Sequence, residues 1–320
     1  METSDQTGIF MTDQPKRVLC IGLPVRDLTF AVESVPGRGQ KFPSQRFAQI
    51  IGGNALNAAI GVNRLGGKAA MTGPMGDKSE TSDQFLFDDL AREGIDSTHL
   101  VHMPGLVTPI SAVMIDPSGE RTIVTFRDPE LWKVKLPAHD VLLKDCDAIL
   151  VESRCAGFAT DLCIEARHRG IPVVVDIDST ISQHEGLLTA SSHLIFSDDA
   201  LQSTAGIADN LKALQKLATL TPSFLAVTRG PRGTLWLDDH GHPRETPAFP
   251  VHVVDTLGAG DIFHGAFALE FASGKSVPEA LRFASAAAAL KCTRYGGAFA
   301  CPQRAEVEQL LRESKVGALG

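Results

Sequence analysis

The chain has 320 residues, 43% hydrophobic and 21% charged, and 30 basic against 38 acidic residues give a net charge of −8. This composition is ordinary for a folded globular protein and excludes collagen-like, disordered and disulfide-scaffold chains. The acidic balance argues against nucleic acid as a partner, while a local basic pocket for a small anion stays open.

Residues 1–16 are polar and lack the apolar core of a signal peptide, so a tail outside the folded domain is expected. Val18–Gly22 (VLCIG) is an apolar run ending in glycine and reads as a buried strand. Leu28–Val32 and Gln45–Ile51 read as extended arms around a Pro/Gly-rich connection. Asn54–Leu65 has helical apolar spacing and stops at Gly66-Gly67, with Asn54 positioned to cap its start. Ile110–Ile115 and Thr122–Phe126 flank Asp116-Pro-Ser-Gly119, the composition of a hairpin turn. Ala148–Val151, Pro172–Val175, His193–Phe196 and Phe224–Thr228 are further strands, with Ala159–Arg169 a helix between the first two. No apolar run reaches the ~20 residues that span a membrane.

Strands alternating with helices build right-handed βαβ units. The expected fold is α/β, a mostly parallel central sheet with helices on both faces, in a single domain over 17–320. The stretches at about 28–51 and 108–128 do not fit a βαβ crossover. They predict a small antiparallel sheet protruding as a lid, or else two ordinary surface hairpins. Cys20, Cys146, Cys155, Cys163, Cys292 and Cys301 form no Cys-x-x-Cys pair, and the histidines lack zinc-finger spacing. Reduced thiols in a cytoplasmic protein are expected.

Two strings carry chemistry. In Asp255-Thr-Leu-Gly-Ala-Gly-Asp261, small Gly258, Ala259 and Gly260 let backbone N–H groups approach an anion, and the apolar helix that follows adds positive charge at its N-terminus. Beside such a cradle Asp261 can take a proton from an attacking hydroxyl while the amides stabilise a transferring phosphoryl group. As a bare helix start, the same aspartate can simply be a cap. In Gly52-Gly53-Asn54-Ala-Leu-Asn57, paired glycines allow a tight strand-to-helix turn, and the Asn57 amide can face a polyol.

In this order the two strings resemble the signatures of the ribokinase-like, or phosphofructokinase-B type, carbohydrate kinases, and the resemblance runs from about Val18 to Leu311. It implies a three-layer α/β sandwich with a β-sheet lid, ATP and Mg²⁺ as cofactors, and a homodimer formed through the lid. It implies Asp261 as general base, Gly258, Ala259 and Gly260 as anion hole, and Asp27, Gly53 and Asn57 on sugar hydroxyls. Thr228, Gly230 and Gly233 match the family's nucleotide-binding turn, and Ser197 opens a stretch that faces the nucleotide. Ala287, in the Ala-rich segment Ala286–Leu290, is expected beside adenine, although close helix packing explains alanines there equally well. Asp255 stands where the family holds a monovalent cation, K⁺, by backbone carbonyl. The family's Asn-x-x-Glu is here Ser197-Asp198-Asp199-Ala200. Asp198 or Asp199 can supply the lost charge through water, and magnesium is expected mainly on phosphates and water.

HVVDTLGAGDIFHGAFAL and RFASAAAALKCTRYGG further resemble one branch, the 6-deoxy-6-sulfofructose kinases. That branch implies Lys41, Thr125 and Arg154 at a sulfonate, with Thr125 departing from the branch's asparagine. Physically, two converging cations suit a sulfonate, carboxylate or phosphate end group. Alternatively Lys41 is a solvated loop residue and Arg154 pairs with Glu152. The implied reaction is ATP-dependent phosphorylation of a ketohexose hydroxymethyl group, giving 6-deoxy-6-sulfofructose 1-phosphate. Fructose, ribose, a nucleoside and sugar phosphates are the substrates of alternative readings. A catalytically silent ligand-binding relative has no use for the intact Gly-Ala-Gly-Asp. A dinucleotide oxidoreductase is disfavoured, because Gly22-Leu-Pro-Val-Arg-Asp27 is not Gly-x-Gly-x-x-Gly.

Overall fold

The structure, a computed structural model, describes residues 14–35, 37–79, 83–117, 121–183 and 186–314. Most of the expected polar tail, residues 1–13, lies outside the described residues. The strands are β1 (Arg17–Ile21), β2 (Val25–Ala31), β3 (Arg46–Gly52), β4 (Lys68–Met75), β5 (Asp96–His102), β6 (Ile110–Ile115) and β7 (Arg121–Phe126). They continue with β8 (Ala148–Glu152), β9 (Val173–Ile177), β10 (His193–Ser197), β11 (Phe224–Thr228), β12 (Thr234–Leu237) and β13 (Pro243–Thr246). The helices are α1 (Asn54–Arg64), α2 (Gln84–Arg92), α3 (His139–Leu142), α4 (Ala156–His168) and α5 (Gly186–Ala190). They continue with α6 (Asp198–Ala205), α7 (Asn210–Ala218), α8 (Ala259–Ala272), α9 (Val277–Cys292) and α10 (Arg304–Glu313).

The main sheet has the order β13-β12-β11-β10-β9-β8-β1-β4-β5. It is parallel from β11 to β5, and β12 and β13 add an antiparallel edge. Its central strands are apolar on both faces, as a sheet covered on both sides requires. Val18 and Cys20 of β1 pack under α1, α2, α8, α9 and α10. Leu19 and Ile21 face the opposite core, under α3 to α7. The three layers expected from the alternating pattern are therefore present.

Parallel strands end at one edge, and Glu152, Asp176, Ser197 and Thr228 all lie at or near the carboxyl ends of their strands. Glu152 pairs in register with Asp176, and Ser197 with Thr228. Open α/β sheets bind ligands at this edge. Here α1 and α8 meet closely. A Cβ on Gly265 would stand 2.5 Å from the Ala58 carbonyl oxygen, and one on Gly61 would stand 2.9 Å from Ile262 Cδ1.

The second sheet has the order β3-β2-β6-β7. The expected antiparallel sheet is corrected in its centre: β2 and β6 are parallel, while β2–β3 and β6–β7 are antiparallel. The cause is connectivity. β2 follows β1, β6 follows β5, and both leave the main sheet at the same edge, so they run the same way. Part of the β6–β7 turn, residues 118–120, is outside the described residues.

Candidate functional site

Asp261 lies in the first turn of α8 and is half-buried. It does not cap its own helix; the N-cap is Gly258, at φ 77. Its Oδ2 instead accepts from Asn57 Nδ2 at 2.7 Å, across the α1–α8 contact. The surrounding protein pushes the Asp261 carboxyl up to about 7, the Asp176 charge adds to this, and the Asn57 bond opposes it.

Asn54 was expected to cap α1, but Gly53 does so at φ 101, and Asn54 is the first helical residue. A Cβ on Gly53 would meet the Leu23 carbonyl oxygen at 2.2 Å, so a side chain is excluded from this turn. Asn54 Nδ2 donates to Asp176 Oδ2 at 3.1 Å and Asp178 Oδ2 at 3.0 Å. Burial and the Asp178 charge raise Asp176 well above the carboxylate range. Burial also acts on Asp178, but the Arg154 charge and bonds from Arg154 and Asn54 outweigh it and hold that carboxyl low. Glu152 Oε1 accepts from the Ala55 amide at 2.9 Å, yet burial pushes the Glu152 carboxyl up to about 7. His264 donates from Nδ1 to the Gly260 carbonyl at 2.7 Å and turns Nε2 to Asp176 Oδ1 at 3.5 Å. Burial keeps this imidazole neutral by lowering its pKa.

Beside the cradle opens a cleft of about 510 Å³, lined by Thr228, Gly230, Gly233, Phe249, Thr256, Ala259, Gly260, Ser285, Ala288, Ala289 and Cys292 among others. The expected Thr228, Gly230, Gly233, Ala259 and Gly260 thus come together. Ala287 does not join them: it is fully buried in the core, and Ala288 and Ala289 face the cleft instead. Ser197 caps α6, accepting from the Ala200 amide at 3.3 Å. Small residues and an apolar wall fit a flat nucleobase, and the turn at Gly258–Gly260 fits its phosphates, so the residues present suit ATP. Asp198 is already engaged by Asn210 Nδ2 at 2.7 Å and by Arg232 Nη2 at 2.5 Å. No group of three His, Cys, Asp or Glu residues that could hold a metal occurs among the described residues.

On the small sheet, Asp27 aligns with Ser111 across β2 and β6, and its carboxylate fills the space over Gly52. Burial raises Asp27, against the Ser111 hydrogen bond and the Arg127 charge. Arg154 pairs with Asp178, not with Glu152, and its Nε is buried without a hydrogen-bond partner among the described residues. Thr125 is exposed and its Oγ1 accepts from Arg127 at 3.2 Å. Lys41 is exposed in the β2–β3 connection. The Asp255 carbonyl, expected to hold a cation, accepts from Lys291. Sequence reading missed Asn54, Asp176, Asp178, His264, Arg127 and Lys291 as members of the site. Asp176, inside β9, and Asp178, just past its end, offered a signal in the two carboxylates at a buried strand's carboxyl end.

The chain matches the pfkB family of carbohydrate kinases over residues 15–304. It is 25% identical to the ribokinase of Bacillus subtilis over 307 residues, 92% of this chain and 99% of that one. It is 28% identical to the ketohexokinase of Mus musculus over 312 residues, 88% of this chain and 98% of that one. A solved chain from Agrobacterium tumefaciens, provisionally assigned as a ribokinase, is 37% identical with a TM-score of 0.88, covering 93% of this chain and 98% of its own. Ribokinase from Arabidopsis thaliana, solved with ribose and ATP, shares the fold at a TM-score of 0.82 and 24% identity, over 94% of this chain and 100% of its own. With the match extending from the first strand to the last helix, the chain belongs to the pfkB family of carbohydrate kinases and has their ribokinase-like fold.

Proposed function

We propose that this kinase phosphorylates a hydroxymethyl group of a ketohexose derivative with an anionic end, and that 6-deoxy-6-sulfofructose is its substrate. The observation that carries the anionic end is Arg154. Its Nε is a buried donor without a hydrogen-bond partner among the described residues, and Arg127 feels its like charge from the end of the small sheet. A buried donor left unpaired costs about 1–3 kcal/mol, more for a charged group, and an oxyanion would remove that cost. Lys41 and Thr125 complete the same recognition from the small sheet.

ATP supplies the phosphoryl group. Asp27, Gly53 and Asn57 hold the sugar hydroxyls. Asp261 takes the proton from the attacking hydroxymethyl oxygen as that oxygen bonds to phosphorus and the bond to the ADP leaving oxygen breaks. Amides at Gly258, Ala259 and Gly260 carry the charge that develops. Thr228, Gly230 and Gly233 flank the nucleotide, Ser197 fixes the end of β10 next to them, and Ala288 and Ala289 take the adenine role first given to Ala287. The small sheet acts as a lid that excludes water. Its exposed Phe47, Ile123, Val124 and Phe126 suit a homodimer contact. The protein works in the cytoplasm.

Fructose is the second reading, favoured by the Arg154–Asp178 ion pair, which already balances one cation. ADP release with Mg-ATP, comparing 6-deoxy-6-sulfofructose, fructose and fructose 6-phosphate, separates the two. The proposal expects a strong preference for the sulfonate. It expects Arg154→Met to raise that KM by about 30-fold or more, as loss of a charged hydrogen bond does, with little change for fructose. Equal use of fructose, or an equal effect of the substitution on both sugars, overturns it.

A further inference from the structure

Lys291, in the last turn of α9, is 0% exposed. Its Nζ donates to the Asp255 carbonyl at 2.8 Å and lies 3.1 Å from Asp255 Oδ2. Asp255 passes this contact on in two directions. Oδ1 accepts from the Leu257 amide at 2.8 Å, and Oδ2 accepts from the Gly297 amide at 3.1 Å and the Gly296 amide at 3.3 Å. From the other side, the Cys292 carbonyl accepts from the Val254 amide at 2.8 Å and the Asp255 amide at 3.1 Å. One ammonium and one carboxylate thus tie residues 254–257 to the end of α9 and the turn after it. The next residues along the chain are Gly258, Ala259 and Gly260, the anion cradle.

A fully buried ammonium is expensive unless charge and hydrogen bonds compensate it, so its retention calls for a task that needs the charge. The family resemblance implies a monovalent cation at this loop, held through the Asp255 carbonyl. The residues present do not fit one. The carbonyl oxygen that would ligate the ion already accepts from an ammonium of the same single positive charge, which also lies against the Asp255 carboxylate.

We propose that Lys291 is a built-in replacement for the monovalent cation, a positioning residue whose charge holds the 255–260 loop so that phosphoryl transfer does not depend on potassium. The proposal rests on the kinase reading, so its test includes a readout free of substrate. Thermal unfolding of the wild type and of Lys291→Ala is measured in N-methylglucamine chloride and in potassium chloride of equal ionic strength, without nucleotide or sugar. ADP release is followed in the same salts and in ammonium chloride. The wild type is expected to melt at the same temperature in both salts and to keep its turnover within about twofold. Lys291→Ala is expected to lose turnover about tenfold or more in N-methylglucamine. Potassium or ammonium then restores part of it, and potassium raises that variant's melting temperature, as a ligand of the folded state does. Lys291→Met, which fills the space, gains nothing from either ion.

Potassium-specific stabilisation or several-fold activation of the wild type overturns the proposal, even if no Lys291 variant folds. So does a Lys291→Ala enzyme that is fully active without potassium, or an inactive one that neither ion restores. If none of the tested sugars is phosphorylated, the melting data still decide the cation question separately from the choice of substrate.

Discussion

A general base serves only where its pKa lies near the working pH, and Asp261, the base proposed above, owes such a pKa to its surroundings. Burial and the Asp176 charge raise it to about 7. Asp261→Asn is expected to lower kcat by ~10²–10⁴, the usual weight of a general base, while sugar and ATP still bind. Because the deprotonated form is active, kcat/KM should rise with pH through an acid limb near 7. Asp176→Asn removes a negative neighbour, so that limb should move to lower pH. A limb left in place would show that another group controls it. Asp261, Asn57 and Gly53 were singled out as candidates because each sits inside a short string with its own chemistry. Asp176, Asp178 and His264 were not, because their partners are distant in sequence. Asn54 and Asp176 are 122 residues apart, and His264 and Ile195 are 69.

At the scale of elements, the close approach of α1 and α8 brings Asn57 to Asp261. Gly265→Ala would drive a Cβ against the Ala58 carbonyl. It is expected to destabilise the fold by about 1–3 kcal/mol, measured by denaturant unfolding, and to lower kcat more than it raises KM. Ala288→Leu intrudes into the cleft and should raise KM for ATP by about tenfold, roughly 1.4 kcal/mol, with the sugar KM unchanged. The missed phase at Ala287 has a simple origin. Successive helical residues point about 100° apart, and an all-alanine run offers no polar side to fix the rotation. The strand positions were legible from apolar runs between turn residues. The parallel pairing of β2 with β6 was not, because it follows from where β1 and β5 end in three dimensions.

At the scale of the molecule, Glu152 ties β8 to α1 through the Ala55 amide, at the edge where the layers meet. Its folded-state pKa is raised from 4.5 to about 7. A raised carboxyl contributes stability below its unfolded pKa and loses it as pH climbs through the folded value. Glu152→Gln should therefore gain on the wild type in melting temperature as pH rises from about 4.5 to above 7, and a constant difference would contradict this. The three-layer order was legible in the alternation of strands and helices, since every central strand must be apolar on both faces. The central claim is sugar phosphorylation driven by Asp261, and its most direct test is ADP release from Mg-ATP by wild type and Asp261→Asn across 6-deoxy-6-sulfofructose, fructose and fructose 6-phosphate. ADP release that depends on sugar in the wild type and collapses in the variant is the predicted result. Release without any sugar, or equal turnover by both proteins, would contradict it.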